Sequence, residues 1–243
     1  MTDPSGYSDA EVAALYNQMN PWGPSDDFYL PLVMAAGSAL DVGCGTGMML
    51  HAARDRGHTG RLLGIDPDRH ALAIAAKRDD IEWIEGRAED LSFDGAFDLA
   101  IMISHGFQFI TSDDEIRRSL QAIRRALRPG GRFAFETRNP TQRAWETWAA
   151  AGRETFTDPG GRTLISWYET DLVGDGLVNL VEVFANPDGT EVRRDQAMMR
   201  FLSIEQVRGH LMQAGFAIEE QFGDWDRSPV SDASREIITI ARR

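Results

Sequence analysis

One cysteine stands among the 243 residues, Cys44. That excludes an intrachain disulfide framework and fits a reducing compartment, so a cytoplasmic location is expected. Basic residues are outnumbered: 25 Lys and Arg face 38 Asp and Glu, for a net charge of −13 and a pI near 4.8. A chain this acidic repels phosphate backbones and anionic lipid surfaces, so neither nucleic acid nor a membrane is an expected partner. The one Arg-dense run, IRRALRPGGR at 123–132, reads as a helix end and turn. No apolar stretch approaches the roughly 20 residues of a spanning helix. The opening MTDPSGYSDAEV has no basic region followed by an apolar run, so no signal peptide is expected. Internal repeats and low-complexity segments are absent. No metal-ligand cluster emerges either, because SDDE at 112–115 reads as a helix start with favourably placed acids.

What is present is an ordinary globular composition, 42% hydrophobic and 26% charged, long enough for one well-buried α/β domain with a small elaboration. Residues 8–20 read as a helix capped by Ser8 with Glu11 three residues on. PWGPSDD at 21–27 breaks it, and a second short helix follows at about 26–36. From 38 to 140 strands and helices alternate. The strands are SALDVG, RLLGID, IEWIEG, FDLAIMIS and RFAFET, and the pattern predicts a parallel sheet covered on both faces. Within 162–201 three strand-like runs follow one another without helices, joined by GDG and NPDG, which is hairpin chemistry. A helix capped by Ser203 and the strands AIEEQF and EIITIARR close the chain. The expected organisation is an N-terminal helical lid (1–37) and an α/β core (38–140). A helix plus an inserted antiparallel lobe (141–201) and closing core elements (202–243) complete it.

The stretch ALDVGCGTGMML at 39–50 carries the chemistry. Glycines at 43, 45 and 47 let the backbone turn tightly and approach a ligand, and the following helix aims its N-terminus there. A dinucleotide fingerprint is G-x-G-x-x-G, yet position 48 is Met, and Asp41 sits at the strand end where a pyrophosphate would be repelled. Asp66 ends strand two, 19 residues beyond Gly47, where an acceptor for ribose hydroxyls belongs. A ribose, no phosphate beside the loop and a positive group near strand one together describe S-adenosylmethionine.

LDVGCGTG, GIDPD, EGRAEDLSF, FDLAIMIS and LRPGGRF, in that order, resemble the class I S-adenosylmethionine-dependent methyltransferases. The resemblance is strong over 38–140 and extends to the closing helix and strands. It implies a Rossmann-like, seven-stranded, mostly parallel sheet with the last strand antiparallel, and the cofactor above strands one and two, leaving as S-adenosyl-L-homocysteine. It implies that Asp41 and the loop of Gly43, Cys44, Gly45 and Gly47 face the methionine moiety. Asp66, followed by Pro67, would hold the ribose, and the Ala88 amide with Glu89 or Asp90 would hold the adenine. Family members often have an acid where this chain has Arg87. Cys44 also reads as a small packed residue, and Glu89 as a solvated helix-start acid.

In an open α/β sheet the crevice lies where strand order reverses, by the resemblance between strands one and four. SHGFQF leaves strand four there, placing Ser104, His105, Phe107 and Gln108 at the crevice. Of five histidines only His105 falls at this point; His51, His58, His70 and His210 read as surface residues. His105 is expected as a general base or as an orienting group for the acceptor. Arg138 would bind an acceptor carboxylate or pair with a lid acid. Trp145 and Trp148 would pack a lid or core. Trp167 and Tyr168 must face opposite sides of a strand, one of them toward the acceptor. Tyr16 and Trp22 are lid candidates, on a segment that also carries Tyr7. The expected reaction is methyl transfer to N or O of a small molecule, by a monomer or homodimer without a metal. The rival readings are a catalytically silent cofactor-binding scaffold or sensor, and an NAD(P)-dependent oxidoreductase.

Overall fold

The computed structural model describes residues 8–243, so Tyr7 and the start of the 1–37 segment lie outside the described residues. Two helices open the chain, α1 (Asp9–Met19) and α2 (Pro24–Ala35). Ser8 caps α1 in the reciprocal box with Glu11. α2 starts earlier than its expected position: Gly23 is the N-cap and Pro24 takes the first turn, where a missing N–H costs nothing. The core follows as β1 (Ser38–Val42), α3 (Met48–Asp55), β2 (Arg61–Asp66), α4 (Arg69–Ala75), β3 (Glu82–Glu85), β4 (Phe97–Met102), α5 (Asp113–Ala126) and β5 (Leu127–Arg138). Helix α6 (Ala144–Ala150) leads into β6 (Glu154–Thr157), β7 (Thr163–Gly174), β8 (Leu177–Ala185) and β9 (Glu191–Arg200). The chain closes with α7 (Ile204–Gln213), β10 (Ala217–Phe222) and β11 (Glu236–Arg242).

Seven strands form one sheet in the order β10-β11-β5-β4-β1-β2-β3, and the last strand runs antiparallel to both its neighbours. Pairing of β1 with both β2 and β4 puts the reversal of strand order between β1 and β4, as expected. The second sheet is β6-β7-β8-β9, fully antiparallel. Its fourth member, β6, escaped the sequence reading because ETFT is short and only Phe156 packs inward.

Strand alternation divides the sheet into two buried faces. Leu40, Val42, Leu63, Phe133 and Phe135 pack against α5 and α7 on one face. Ala39, Leu62, Leu99, Ala134, Ile238 and Ile240 pack against α2 and α3 on the other. By the same alternation Asp41, Asp66, Glu136 and Glu236 fall on this second face. Each lies at the sheet edge where the parallel strands end. In α5, Ile116, Leu120 and Ile123 form the buried stripe. Its acidic first turn is capped by Ser112 and Glu115, and Asp113 pairs with Arg200, so SDDE is a helix start.

Candidate active site

The loop after β1 is pinned from below. The Gly43 and Cys44 amides donate to the Ile65 carbonyl at 2.8 and 3.1 Å, and the Gly45 amide donates to Asp66 Oδ2 at 2.7 Å. Gly43, Gly45 and Gly47 have φ of 77°, 53° and 78°, a region costly for other residues. A Cβ on Gly43 or Gly45 would point into open space, so the loop exposes bare backbone to the cavity above it. Gly47 serves a different end: a Cβ there would come within 2.5 Å of Trp83, whose ring also covers Gly64.

Above the loop lies a cavity of about 350 Å³. Gly43, Gly45, Asp66, Pro67, Ala88, Glu89, Ser104 and Tyr16 line it, together with Thr46 and the apolar Met102, Ile103, Phe109 and Ile110. Asp66 is held by two backbone amides, Gly45 and Asp68, leaving its free lone pairs toward the cavity. Of the two candidate acids, Asp90 folds back onto the Arg87 amide at 2.8 Å. Glu89 remains on the wall and pairs with Arg118. Tyr16 of α1 is 41% exposed, and that surface opens on the cavity. Its hydroxyl meets Ser104, and burial together with Asp66, Asp26 and Glu136 raises its pKa.

Asp41 lies directly beneath. Its carboxylate is fully buried, and neither oxygen has a hydrogen-bond partner among the described residues. Desolvation, then Asp66, Glu136 and Asp26, push its pKa up to about 8. A buried carboxylate left this way is expensive, and a cationic group above the glycine loop would relieve it. Bare backbone, a pinned ribose-type acceptor, an apolar slot and an unsatisfied acid together fit S-adenosylmethionine, with its sulfonium and ammonium charges, and fit a pyrophosphate poorly.

Beyond Ser104, outside the lining of this cavity, polar side chains gather around His105. The His105 amide donates to Glu136 Oε1 at 2.8 Å, and His105 Nε2 lies 2.9 Å from Glu236 Oε2. Glu136 is fully buried and also accepts from the Tyr29 hydroxyl at 2.6 Å. Burial raises its pKa against the opposing pull of His105, Tyr29 and the His105 amide. Arg138 donates to Gln108 Oε1 at 3.1 Å and stacks 4.7 Å from the Trp148 ring. Burial depresses its pKa, while Glu236, Glu136, Tyr16 and Tyr168 sustain its charge. Tyr168 is the member of its pair turned toward Arg138, its hydroxyl donating to Glu182 at 3.0 Å. Trp167 packs under Arg153 instead.

Several expected contacts belong elsewhere. Trp22 bonds Asp27 and lies under Arg56, away from the cavity wall, because the turn before α2 carries it to the end of α3. Phe107 is a core residue against Phe135. Gln108 is buried and braces Arg138. Trp145 packs on Phe201 under the second sheet. The Cys44 side chain is buried over Gly64, with a strongly raised pKa caused by burial and by Asp41 and Asp66. His58 is buried against the Ala36 carbonyl, so it is not the expected surface residue, and the half-buried His51 bonds the Ala75 carbonyl. Sequence reasoning missed Glu136, Glu236, Tyr29, Thr46 and Asn17. The signal for the acids was available: a carboxylate inside the apolar run RFAFET, and another opening EIITIARR.

Residues 39–131 match the family model described as a methyltransferase domain. Over the full length of both chains this sequence is 26% identical to the cypemycin N-terminal methyltransferase of Streptomyces sp.. It is 33% identical to the 2-phytyl-1,4-naphtoquinone methyltransferase of Trichormus variabilis over 51% of this chain and 60% of that one. Among solved structures, the sugar N-methyltransferase KedS8 from Streptoalloteichus sp. matches with a TM-score of 0.74 at 17% identity, covering 100% of this chain and 98% of that one. CalS10, an amino pentose methyltransferase from Micromonospora echinaspora solved with S-adenosylmethionine bound, matches with a TM-score of 0.68 at 19% identity, covering 98% of each chain.

Proposed function

Because this chain is a class I S-adenosylmethionine-dependent methyltransferase, we propose that it methylates a nitrogen or oxygen of a small-molecule acceptor by in-line displacement, with His105 as the base or orienting group. The observation that carries the reading is the buried, unpartnered Asp41 beneath a glycine loop of bare backbone. In this reading Asp41 and the loop hold the methionine end, Asp66 holds the ribose, and Ala88 with Glu89 flanks the adenine. The cofactor supplies an electrophilic methyl group on a sulfonium. The protein contributes alignment and exclusion of water, and proximity alone is worth several kcal/mol.

Tyr16, lying against Ser104 at the cavity wall, would mark the place where the methyl group passes to the acceptor. The acceptor would enter among His105, Arg138, Trp148 and Tyr168. The similarity to an N-terminal methyltransferase, an amino pentose methyltransferase and a sugar N-methyltransferase supports a small acceptor and favours nitrogen. The acidic chain supports the same choice over nucleic acid, and no helix among the described residues is long and apolar enough to cross a membrane.

The test is a thermal-shift titration with S-adenosylmethionine, S-adenosylhomocysteine and NADPH in parallel. At about 100 times its dissociation constant a ligand stabilises by about 2.7 kcal/mol, roughly 5–11 °C in Tm at this length. A shift of that order with the first two ligands, smaller in Asp66→Ala and absent with NADPH, is expected. A shift with NADPH alone would refute the cofactor assignment.

A further inference from the structure

The polar cluster around His105 holds more acid than one histidine needs. Glu136 and Glu236 reach it from adjacent strands, and Glu236 is the cross-strand partner of Arg138 in the β5–β11 ladder. The titratable groups facing it are Glu136 and Arg138 from β5, Glu236 from β11, Tyr29 from α2, Tyr16 from α1 and Tyr168 from β7. Arg138 is the single permanent cation in this set. Two carboxylates against one guanidinium favour a cationic ligand beside His105 over an anionic one.

The His105 ring is held from one side. Nε2 faces the Glu236 carboxylate, an acceptor only, so Nε2 carries the hydrogen. In the neutral ring Nδ1 then keeps its lone pair. Nδ1 has no partner among the described residues and is not among the buried unpartnered atoms, so it is accessible. A carboxylate that fixes the tautomer and supports the imidazolium is a recurrent way to ready a base.

We propose that Glu236 is the positioning residue for His105 and that the acceptor is an amine, received as its ammonium form by the Glu136–Glu236 field and deprotonated at Nδ1 of His105. This rests on the methyltransferase reading above. One ammonium proton passes to Nδ1, freeing the nitrogen lone pair. That pair forms the N–CH3 bond while the electron pair of the S–CH3 bond stays on sulfur. The products are a methylated ammonium and the neutral thioether, and the proton on His105 leaves to solvent. The Glu236 carboxylate accepts from Nε2 and stabilises the imidazolium. An alcohol of the same skeleton brings no positive charge to these carboxylates and holds its proton far more tightly.

The experiment pairs two measurements on the full chain. The ¹⁵N shifts of His105 are expected to show an Nε2–H tautomer that is lost in Glu236→Ala. Methyl transfer from radiolabelled S-adenosylmethionine is then followed on primary and secondary amines, including amino sugars and short peptides, beside the matched alcohols. Amines are expected to react at least about 100-fold faster. Glu236→Gln should lower kcat about 10–100-fold, move the acid limb of the pH–rate profile to lower pH, and leave cofactor affinity unchanged. Equal rates for alcohols, or no turnover with any amine while the cofactor binds, would overturn the amine assignment. An unchanged tautomer or an unmoved acid limb would overturn the role of Glu236. Failure of S-adenosylmethionine to bind at all would instead strike the cofactor reading, and the thermal-shift titration detects that separately.

Discussion

Asp41 is a residue whose ionisation the fold opposes until a ligand arrives. An acid with a folded-state pKa near 8, against about 4 when unfolded, binds more protons folded than unfolded between those values. Stability contributed by the protonated form is therefore lost as pH rises through that window, and the penalty is complete above pH 8. Asp41→Asn removes it. The Tm of the variant, relative to wild type, should rise steadily between pH 5 and pH 9 without ligand, while affinity for S-adenosylmethionine falls. A Tm difference that is flat with pH would show that Asp41 is ionised at no cost. Glu136 and Asp66 are also raised by burial, so the comparison with wild type isolates Asp41 from them.

Helix α1 is the element that closes the cavity, and it is held from two sides. The Thr46 hydroxyl donates to Asn17 Oδ1 at 2.6 Å, tying α1 to the glycine loop. Gln18 donates to the Thr157 carbonyl, Glu11 pairs with Arg162 and Asp9 with Arg193, all on the second sheet. Leu15 is fully buried with Leu164 and Phe184. The exposed ion pairs contribute little, so the Leu15 contact is the main anchor. Leu15→Ala should cost about 2–5 kcal/mol of that docking. It should raise the dissociation constant for S-adenosylmethionine and speed hydrogen exchange in residues 9–19, with β1 to β5 unaffected. Unchanged exchange and affinity would mean that α1 closes without this anchor. The capping box of α1 was legible in Ser8 and Glu11. Its place over the cavity was not, because the partners of Asn17 and Leu15 lie about 29 and 150 residues away.

Across the whole molecule, a net charge of −13 opposes compaction. At about 0.01 M ionic strength charges interact over roughly 30 Å, and at 0.15 M over about 8 Å. Tm should therefore rise as salt is added over that range. A fall would mean that the surface Arg–carboxylate pairs, such as Arg132 with Glu219 and Arg61 with Glu82, outweigh the repulsion.

Local rules made much of this protein readable in its residues. Strand-like runs alternating with helices marked the five parallel strands, glycines at 43, 45 and 47 marked the loop, and Asp41 and Asp66 marked the ends of their strands. Backbone conformation and side-chain alternation depend on near neighbours, which is why these survive without a structure. What lay out of reach was contact between distant segments. That Phe107 and Trp145 face the core, that Trp22 turns toward Arg56, and that Gln108 braces Arg138 depend on how helices and sheets pack. The meeting of His105 with Glu236, 131 residues apart, depends on β11 entering the sheet beside β5 in one register, and a shift of one residue would turn Glu236 to the opposite face.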